Sequence, residues 1–396
     1  MKRILFVDDE PKVFSALQRL LRVMRDEWEV ISAESGPSAL ALMAQSPFDL
    51  VISDMLMPGM KGAELLAEIA KRFPETIRII LSGHTNHEEI LRLVGPAHQY
   101  LSKPLEPELL REAITRAFSL QDLLASEQLK RLVTQIQFLP SVPALYIEIV
   151  KELRKEDSSV NRLGHLISRD PGVCTKMLQL VNSAFFGLPH LISTPDEAIL
   201  HLGVETVKNV VLSLQLFSAF ERTPAINYPV DRLWTHSWKT GLIARRIAEA
   251  QNFANSDHAF IAGLLHDIGK LVLAAGLSGQ YTALMESARN QQKSMAEVER
   301  ESLGSTHAEV GGYLLSLWGF PMPIIEAVAM HHCPKPAPHP VFSLMTAVHV
   351  ANVLENERSS IARSRIDPAY LTAIGLENRL NFWREYTRKI SLAEAV

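Results

Sequence analysis

The first 120 residues alternate between short apolar runs and stretches that carry apolar residues at helical spacing. Short apolar runs bounded by polar residues are typical of strands that are buried on both faces. They predict five strands: Ile4 to Val7, Trp28 to Ser32 (the weakest), Leu50 to Ser53, Ile77 to Leu81 and Gln99 to Leu101. The helical spacing predicts intervening helices such as Val13 to Met24 and Ala63 to Phe73. Five strand–helix units predict a parallel sheet with helices on both faces.

From residue 138 to the end of the chain the pattern is almost wholly helical, and no alternation of period two stands out. The clearest helical windows are Leu145 to Leu153, Val160 to Ser168, Val173 to Asn182 and Glu197 to Phe217. Asp170-Pro171 and Gly187-Leu188-Pro189 separate them, as helix-breaking residues do. This part of the chain is therefore expected to form a large all-α domain.

Between the two parts, Glu106 to Ile136 has no glycine and is helical in composition, with Pro107 at a position that a helix tolerates. An apolar stripe runs along it: Leu110, Ile114, Ala117, Leu124, Leu129, Leu132, Val133 and Ile136. We predict that the last helix of the α/β part extends into a linker helix. This linker could pack on its own second domain or form a dimer stalk, and the pattern leaves both open.

Composition excludes several classes. A chain of 396 residues with 47% hydrophobic and 21% charged residues is an ordinary globular protein of two or three domains. A net charge of −4 and the lack of a basic recognition helix argue against DNA binding. Cys174 and Cys333 cannot form a disulfide framework. The apolar amino terminus runs straight into acidic residues, and no uninterrupted apolar stretch is long enough to span a bilayer. We therefore expect a cytoplasmic protein without membrane insertion.

Chemistry-bearing residues follow the predicted strands. Asp8 and Asp9 come after the first strand, Asp54 after the third, Ser82 after the fourth and Lys103 after the fifth. In parallel sheets the ligand site lies beyond the carboxyl ends of the strands. Crowded carboxylates repel one another unless a divalent cation joins them, and oxygen ligands suit Mg²⁺. A carboxylate can also attack a phosphoryl group, after which a Lys and a hydroxyl bind the new oxygens.

These residues resemble a response-regulator receiver domain, which has a flavodoxin-like fold. The resemblance rests on the sequences from Val7 to Pro11, Ser53 to Met60, Leu81 to His84 and Tyr100 to Pro104. It implies that a cognate histidine kinase phosphorylates Asp54 in two-component signal transduction. It further implies that Asp9, Asp54 and the carbonyl of Leu56 hold Mg²⁺ with Asp8 beside them. Ser82 and Lys103 would contact the phosphoryl group, and Tyr100 would be the switch aromatic.

A second set lies in the helical part, where the apolar run Gly263-Leu264-Leu265 leads to His266 and Asp267, with Lys270 one helical turn after His266. An adjacent His and Asp can both ligate a divalent cation, and the Lys could meet a phosphate. A single His is more often an ordinary core or surface residue. For the ordered set of residues, a metal site and ordinary core or surface positions are alternatives of equal weight. The set is His236, His266, Asp267, His307, His331, His332 and Asn352. Fe, Mn, Ni or Zn would suit these ligands.

The set resembles, in order and spacing, the HD phosphohydrolase superfamily. The stretches Leu139 to Pro143, Val181 to Gly187, Ala198 to Gly203, Leu264 to Lys270 and Trp318 to Pro321, together with His331-His332, resemble the HDOD domain, an HD-related output domain. HDOD domains are similar in fold to HD-GYP phosphodiesterases but commonly lack the metal ligands, most of which this chain keeps.

Three departures limit the resemblance. Asn352 replaces the closing Asp of the superfamily, Arg232 stands where HD-GYP enzymes offer a further carboxylate, and Cys333-Pro334-Lys335-Pro336 replaces the loop that reads cyclic di-GMP. Cys333 could itself be a ligand, but a packed or solvated thiol is the simpler interpretation. Fewer carboxylates neutralise a second cation less well, so a reduced site is expected.

We therefore predict four segments: a receiver domain over residues 1–120, a helical linker over 121–137, an HDOD domain over 138–352 and a helical tail over 353–396. The expected function is a phosphorylation-controlled response regulator that acts mainly by binding an unknown downstream protein, with homodimerisation left open. The alternative is a metal-dependent phosphohydrolase or cyclic-dinucleotide phosphodiesterase, with Lys270 steadying the phosphate.

Overall fold

The computed structural model describes residues 1–10, 27–82, 96–103, 107–124, 126–136, 149, 152, 155, 159–169, 171–181, 192, 194–204, 207, 228–254, 256–335, 341–358 and 365–388. We number the described elements in chain order. The predicted helices Val13 to Met24 and Leu145 to Leu153, and the Asn182 stretch, lie wholly or mostly outside these residues, as does the second half of Glu197 to Phe217.

The amino-terminal part is a five-stranded parallel sheet in the order β2-β1-β3-β4-β5, which confirms the predicted flavodoxin-like fold. Strands β3 and β4 are buried along their whole length and β1 over residues 4–7, whereas the edge strand β2 is mostly half-buried. Their bounds are β1 Lys2–Val7, β2 Trp28–Ala33, β3 Leu50–Asp54, β4 Ile77–Ser82 and β5 Gln99–Ser102. The helices are α1 Gly36–Gln45, α2 Gly62–Arg72 and α3 Pro107–Ser119. The order reverses between β1 and β3, so Asp8 and Asp54 lie at the switch point.

The carboxyl-terminal part is helical throughout the residues that the structure describes, as the sequence predicted. Its helices are α5 Val160–Ser168, α6 Pro171–Val181, α7 Pro195–Leu202, α8 Val230–Ala250, α9 Ser256–Leu265, α10 Ile268–Gln291, α11 Met295–Leu303, α12 His307–Leu317, α13 Met322–Met330, α14 Leu344–Arg358, α15 Pro368–Ala373 and α16 Leu380–Arg388. Helix α14 runs through residue 352, and the tail packs on the same core through Trp383, which is fully buried.

Two glycine contacts bring the central helices close together. A Cβ on Gly263 of α9 would lie 2.7 Å from the Cα of Gly241 on α8. A Cβ on Gly269 of α10 would lie 1.9 Å from the backbone oxygen of His307 on α12. Neither distance leaves room for a side chain, so glycine allows these backbones to touch. Both contacts flank His266 and Asp267, which lie in the turn between α9 and α10.

The linker differs from the continuous helix that the sequence predicted. Helix α3 ends at Ser119, a 3₁₀ turn covers Gln121–Leu123, and a separate helix α4, Glu127–Gln135, begins after Ser126. The Ser126 side chain accepts a hydrogen bond from the Leu129 N–H, which caps the new helix. Leu120 and Leu124 are both buried, and the turn lets the apolar stripe pack on two surfaces. The prediction of one extended helix was therefore wrong.

Helix α4 packs on its own second domain. Leu132 of α4 contacts α10 so closely that a Cβ on Gly276 would lie 2.0 Å from its Cδ1. The carbonyl of Thr134 accepts hydrogen bonds from Arg78 Nη2 at 3.1 Å and from the His98 ring at 2.9 Å. Because Arg78 is the second residue of β4 and His98 precedes β5, α4 is held between the sheet and the helical domain.

Direct contacts also join the two parts. The Gln99 side-chain amide donates to the carbonyl of Ser316 on α12 at 3.0 Å, and Arg116 on α3 donates to the carbonyl of Gly319 at 2.9 Å. Gln179 on α6 donates to the His98 carbonyl at 2.7 Å. The edge strand β5 and helix α3 therefore contact the helical domain.

By length and composition, Ser256–Gln291 meets the criteria for a membrane-spanning segment when a few charged residues are allowed. It is weak evidence for a membrane, because 83% of its most apolar window is buried inside the protein. Asp267 and Lys270 also lie within the segment. Its composition is that of a core helix pair.

Candidate functional site

The pocket at the carboxyl edge of the sheet joins two carboxylates through one ammonium group. Lys103 Nζ lies 2.9 Å from Asp8 Oδ2 and 2.8 Å from Asp54 Oδ1. Burial, the largest influence, and the neighbouring Asp8 raise the pKa of Asp54 above its ordinary value, although Lys103 acts against them. Burial would lower the pKa of Lys103, but the two carboxylates together raise it. Lys103 thus stays charged between the acids.

The other residues predicted for this pocket lie at or just beyond strand ends, except Tyr100, which lies within β5. Asp9 is exposed next to Asp8, and Leu56 is 51% exposed just beyond β3. Ser82 is buried at the end of β4, and Tyr100 is buried in β5. Two carboxylates with a third beside them and a nearby backbone carbonyl are hard oxygen donors, which fit Mg²⁺. The sequence thus located a compact acidic pocket at the end of the sheet.

The second cluster is centred on Asp267, and its seven predicted residues come from separate segments. His236 lies on α8, His307 begins α12, His331 and His332 follow α13, and Asn352 lies on α14. With His266 and Asp267 they form two groups of potential ligands that share Asp267: Asp267, His307, His331 and His332 in one, and His236, His266 and Asp267 in the other. The ligand atoms within each group all lie within 4.8 Å of one another.

The two oxygens of Asp267 face different histidines. Oδ1 lies 3.1 Å from His307 Nε2 and 3.8 Å from His331 Nε2. Oδ2 lies 3.4 Å from His266 Nε2 and 3.7 Å from His236 Nε2. A carboxylate placed in this way can bridge two cations.

Backbone hydrogen bonds orient two of the rings. His266 Nδ1 lies 2.7 Å from the Gly263 carbonyl, and His331 Nδ1 lies 2.8 Å from the Val328 carbonyl. A ring nitrogen this close to a carbonyl must donate, so each Nε2 presents a lone pair. Among the described residues, His331 Nε2 and Asp267 Oδ1 are buried atoms without a hydrogen-bond partner. His307 Nε2 lies 3.1 Å from Asp267 Oδ1, so the unpartnered lone pair of His331 Nε2 is the one that fits a bound cation.

Burial sets the protonation of the cluster. It lowers the pKa of His266 to about 3 and holds the pKa of His331 and His332 well below the ordinary value. Burial would raise the pKa of Asp267, but His266, Lys270 and His307 keep it well below its usual range. His307 differs: burial would lower its pKa, but Glu299 and Asp267 outweigh burial and raise it. The neutral rings of His266, His331 and His332 beside an ionised carboxylate are the protonation states that metal ligation requires, and His307 would lose a proton on binding.

Lys270 and Asn352 occupy the edges of the cluster. Lys270 Nζ donates to Asp267 Oδ2 at 2.6 Å, so its charge is directed at the carboxylate. Asn352 Oδ1 lies 3.1 Å from His236 Nε2 and accepts a hydrogen bond from Asn356 at 2.9 Å. The amide therefore presents a neutral oxygen to the site. Of the residues that depart from the family pattern, Cys333 and Arg232 are both exposed.

Two protein-family models match the two parts of the chain. The response regulator receiver domain model matches residues 4–115, and the HDOD domain model matches residues 139–334. The chain is a response regulator that joins a receiver domain to an HDOD domain. The HDOD match ends before Asn352, so α14 contributes to the cluster around Asp267 from outside the matched region.

Individual relatives are similar to different parts of this response regulator. An uncharacterized protein of Treponema pallidum is 27% identical over 272 residues, which cover 67% of this chain and 50% of that protein. The hydrogenase transcriptional regulatory protein HoxA of Cupriavidus necator is 33% identical over 160 residues, covering 40% of this chain and 32% of that protein. The chain thus spans half or less of the length of these curated relatives.

A crystal structure of the MmoQ response regulator from Methylococcus capsulatus is similar in fold. It is 23% identical, with a TM-score of 0.50, and the similarity covers 62% of this chain and 98% of that one. At this identity the similarity supports the fold alone.

A cavity opens beside the cluster around Asp267. Its volume is about 1190 Å³, and His331, His332 and Asn352 contribute to its wall. Lys335 and Arg365, which are exposed, also line it. The cluster is therefore buried from most sides but reachable from this cavity.

Sequence reasoning missed two residues of the site. Glu299 on α11 is fully buried and accepts a hydrogen bond from His307 Nδ1 at 2.6 Å, and Tyr281 on α10 donates to Glu299 at 2.6 Å. In the sequence Glu299 stands between Glu297 and Glu301, and no local pattern separates the three. The only signal was its place shortly before His307, which is too weak to single it out.

Proposed function

We propose that this protein is a phosphorylation-controlled response regulator whose HDOD domain binds divalent metal and hydrolyses a phosphoester. The observation that carries the proposal is the position of Asp267, whose two oxygens face two separate groups of histidines. Such convergence argues against side chains that serve only local packing. The adjacent cavity is large enough to admit a phosphoester.

The position of each residue would determine whether it binds the metal or the substrate. His236, His266, Asp267, His307, His331 and His332 would hold the cation, with Asn352 as a neutral oxygen donor at the edge. When bound, the metal supplies Lewis acidity toward a phosphoryl oxygen and activates water at neutral pH. Lys270 would steady the anionic substrate once Asp267 is engaged elsewhere. Lys335 and Arg365 line the cavity where negative groups of the substrate would lie.

In the receiver domain, we propose that Asp54 accepts a phosphoryl group from an upstream histidine kinase, with Mg²⁺ held by Asp8, Asp9, Asp54 and the Leu56 carbonyl. Lys103 already contacts Asp54, so it is placed to bind the new phosphoryl oxygens. Phosphorylation adds about −1.5 to −2 charge in this pocket, which would draw Ser82 and Tyr100 toward it. We propose that the protein acts in the cytoplasm.

Output through protein binding alone is the second candidate, and two observations favour it. Asn352 replaces a carboxylate by an amide, and the Lys270 ammonium lies 2.6 Å from Asp267. Both reduce the negative charge that would hold a second cation. In this case the HDOD domain would bind an unknown protein, alone or as a homodimer.

Elemental analysis of purified protein, followed by hydrolysis of bis(p-nitrophenyl) phosphate with added Mn²⁺ or Zn²⁺, separates the two candidates. We expect bound transition metal and turnover that Asp267→Ala abolishes, with Asp257→Ala, which removes a half-buried carboxylate near the start of α9, as the control. Wild-type protein that binds no metal would refute the hydrolase and leave the protein-binding output. Labelling by a small phosphodonor with Mg²⁺ tests the receiver; label that persists in Asp54→Asn would contradict the assignment of Asp54.

A further inference from the structure

Glu299 is a buried carboxylate beside the cluster around Asp267. Its side chain is hydrogen-bonded to His307 and Tyr281, neither of which lines the cavity. It lies on α11 and is fully buried. Among the described residues, its one ion-pair partner is His307, at 2.6 Å. Burying a carboxylate is costly unless it is hydrogen-bonded and paired, so the placement of Glu299 beside a histidine calls for an explanation.

Glu299 holds His307 at two points. Its Oε2 accepts the backbone N–H of His307 at 2.7 Å and the ring Nδ1–H at 2.6 Å. The backbone N–H belongs to the first turn of α12, where helix donors have no partner within the helix. One oxygen therefore fixes both the start of the helix and the rotation of the ring. This leaves His307 Nε2 facing Asp267 Oδ1 at 3.1 Å and His332 Nε2 at 2.9 Å.

The second oxygen of Glu299 is fixed from another helix. Tyr281 on α10 is fully buried, and its hydroxyl donates to Oε1 at 2.6 Å. Because both oxygens are engaged, the carboxylate cannot rotate away from His307. Helices α10, α11 and α12 thus meet at one hydrogen-bonded group, and Asp267 directly precedes the first of them.

We propose that Glu299 is a positioning residue, which holds His307 as the Nδ1–H tautomer with Nε2 aimed at the metal position and raises its strength as a ligand. The proposal rests on the metal centre proposed above. A carboxylate that accepts the distal N–H of a ligand histidine fixes its tautomer and makes the other nitrogen more basic. Glu299 itself does not touch the metal.

The first experiment measures metal affinity by calorimetry with Zn²⁺ and Mn²⁺. Glu299→Gln keeps the size and an acceptor for Nδ1–H but removes the negative charge, so we expect affinity to fall by about 10- to 100-fold. Glu301→Gln is the matched control, because this substitution removes the same charge from the same helix at an exposed position. Tyr281→Phe leaves the carboxylate facing His307 and should lower affinity less. Equal affinity in Glu299→Gln and wild type would overturn the proposal.

The second experiment reads the His307 tautomer in metal-free protein by nitrogen NMR of labelled histidine. It is done at alkaline pH, where the ring is neutral although Glu299 and Asp267 raise its pKa against burial. We expect Nδ1–H in the wild type and in Glu301→Gln. In Glu299→Leu the Nδ1 acceptor is gone, so we expect Nε2–H, donated to Asp267. An unchanged tautomer in a folded Glu299→Leu overturns the proposal; if that variant does not fold, the Glu299→Gln affinity decides. If wild-type protein binds no metal, the proposed function fails, and the tautomer still tests Glu299.

Discussion

Replacing Gly269 by alanine should damage the candidate metal centre without changing any ligand. Gly269 lies two residues after Asp267, at the start of α10, where that helix touches the first turn of α12. An added Cβ would lie 1.9 Å from the His307 carbonyl oxygen and 2.7 Å from the Gly311 nitrogen. Both obstacles are backbone atoms, which cannot rotate aside as a flexible side chain can. The helices must therefore separate.

The size of the separation follows from the distances. Ordinary contact begins at 3.4 Å, so the added Cβ must retreat by about 1.5 Å from the His307 oxygen. Overpacking of this kind costs about 1–3 kcal/mol, and a backbone obstacle places this variant near the upper value. Because Asp267 directly precedes one of the separating helices and His307 begins the other, their 3.1 Å distance would grow as well. Metal ligands tolerate shifts of only about 0.2 Å.

Urea unfolding of metal-free protein and calorimetric titration with Zn²⁺ measure the two effects. We expect Gly269→Ala to lose about 3 kcal/mol of unfolding free energy and to bind metal at least about tenfold more weakly. Gly279→Ala is the control on the same helix, since nothing lies within 4 Å of its added Cβ. It should stay within about 1 kcal/mol of wild type with unchanged affinity. Wild-type stability and affinity in Gly269→Ala would refute the close contact on which this reasoning depends.

Three further expectations follow from other parts of the protein. Asn352→Asp restores a carboxylate beside His236 and should tighten Zn²⁺ binding in calorimetry, whereas weaker binding would show that residue 352 is no donor. Burial lowers the pKa of Lys176 to about 7, below its value in the unfolded chain, so the buried lysine destabilises the fold increasingly as pH falls toward 7. Lys176→Met should therefore raise the melting temperature more at about pH 7 than at about pH 9. An equal gain at both pH values would contradict this. Phosphorylation of Asp54 should change X-ray scattering or sedimentation by altering the contacts of α3 and β5 with the HDOD domain, and identical profiles would argue against this coupling.

The receiver fold was predictable because a parallel sheet buries its strands on both faces. Each of the five predicted strands matches an observed strand to within one or two residues at its ends, from Lys2–Val7 to Gln99–Ser102. The acidic residues that follow these strands must converge, since parallel strands end at the same edge. Pattern alone therefore located this pocket.

The linker and the surroundings of the metal ligands were not predictable in the same way. The end of α3 at Ser119 depends on which surfaces bury Leu120 and Leu124, and that is decided by packing between domains. The convergence of the histidines was a hypothesis from their order, but Glu299 is indistinguishable from its acidic neighbours until α11 is packed against α12. Local sequence carries the element type, while the partner of a side chain is tertiary information.

The attachment of α4 to the sheet has a consequence for how a signal could travel. Arg78 and His98, which hold the Thr134 carbonyl, stand at the beginnings of β4 and β5, whereas Ser82 and Lys103 stand at the ends of the same strands. Ser82 lies four positions after Arg78 on β4, a span of about 13 Å. A change at Asp54 thus need not cross a flexible joint to reach the helical domain. Strands β4 and β5 are adjacent, and a shift of either one along its axis would move α4. Helix α4 packs against α10, which begins directly after Asp267.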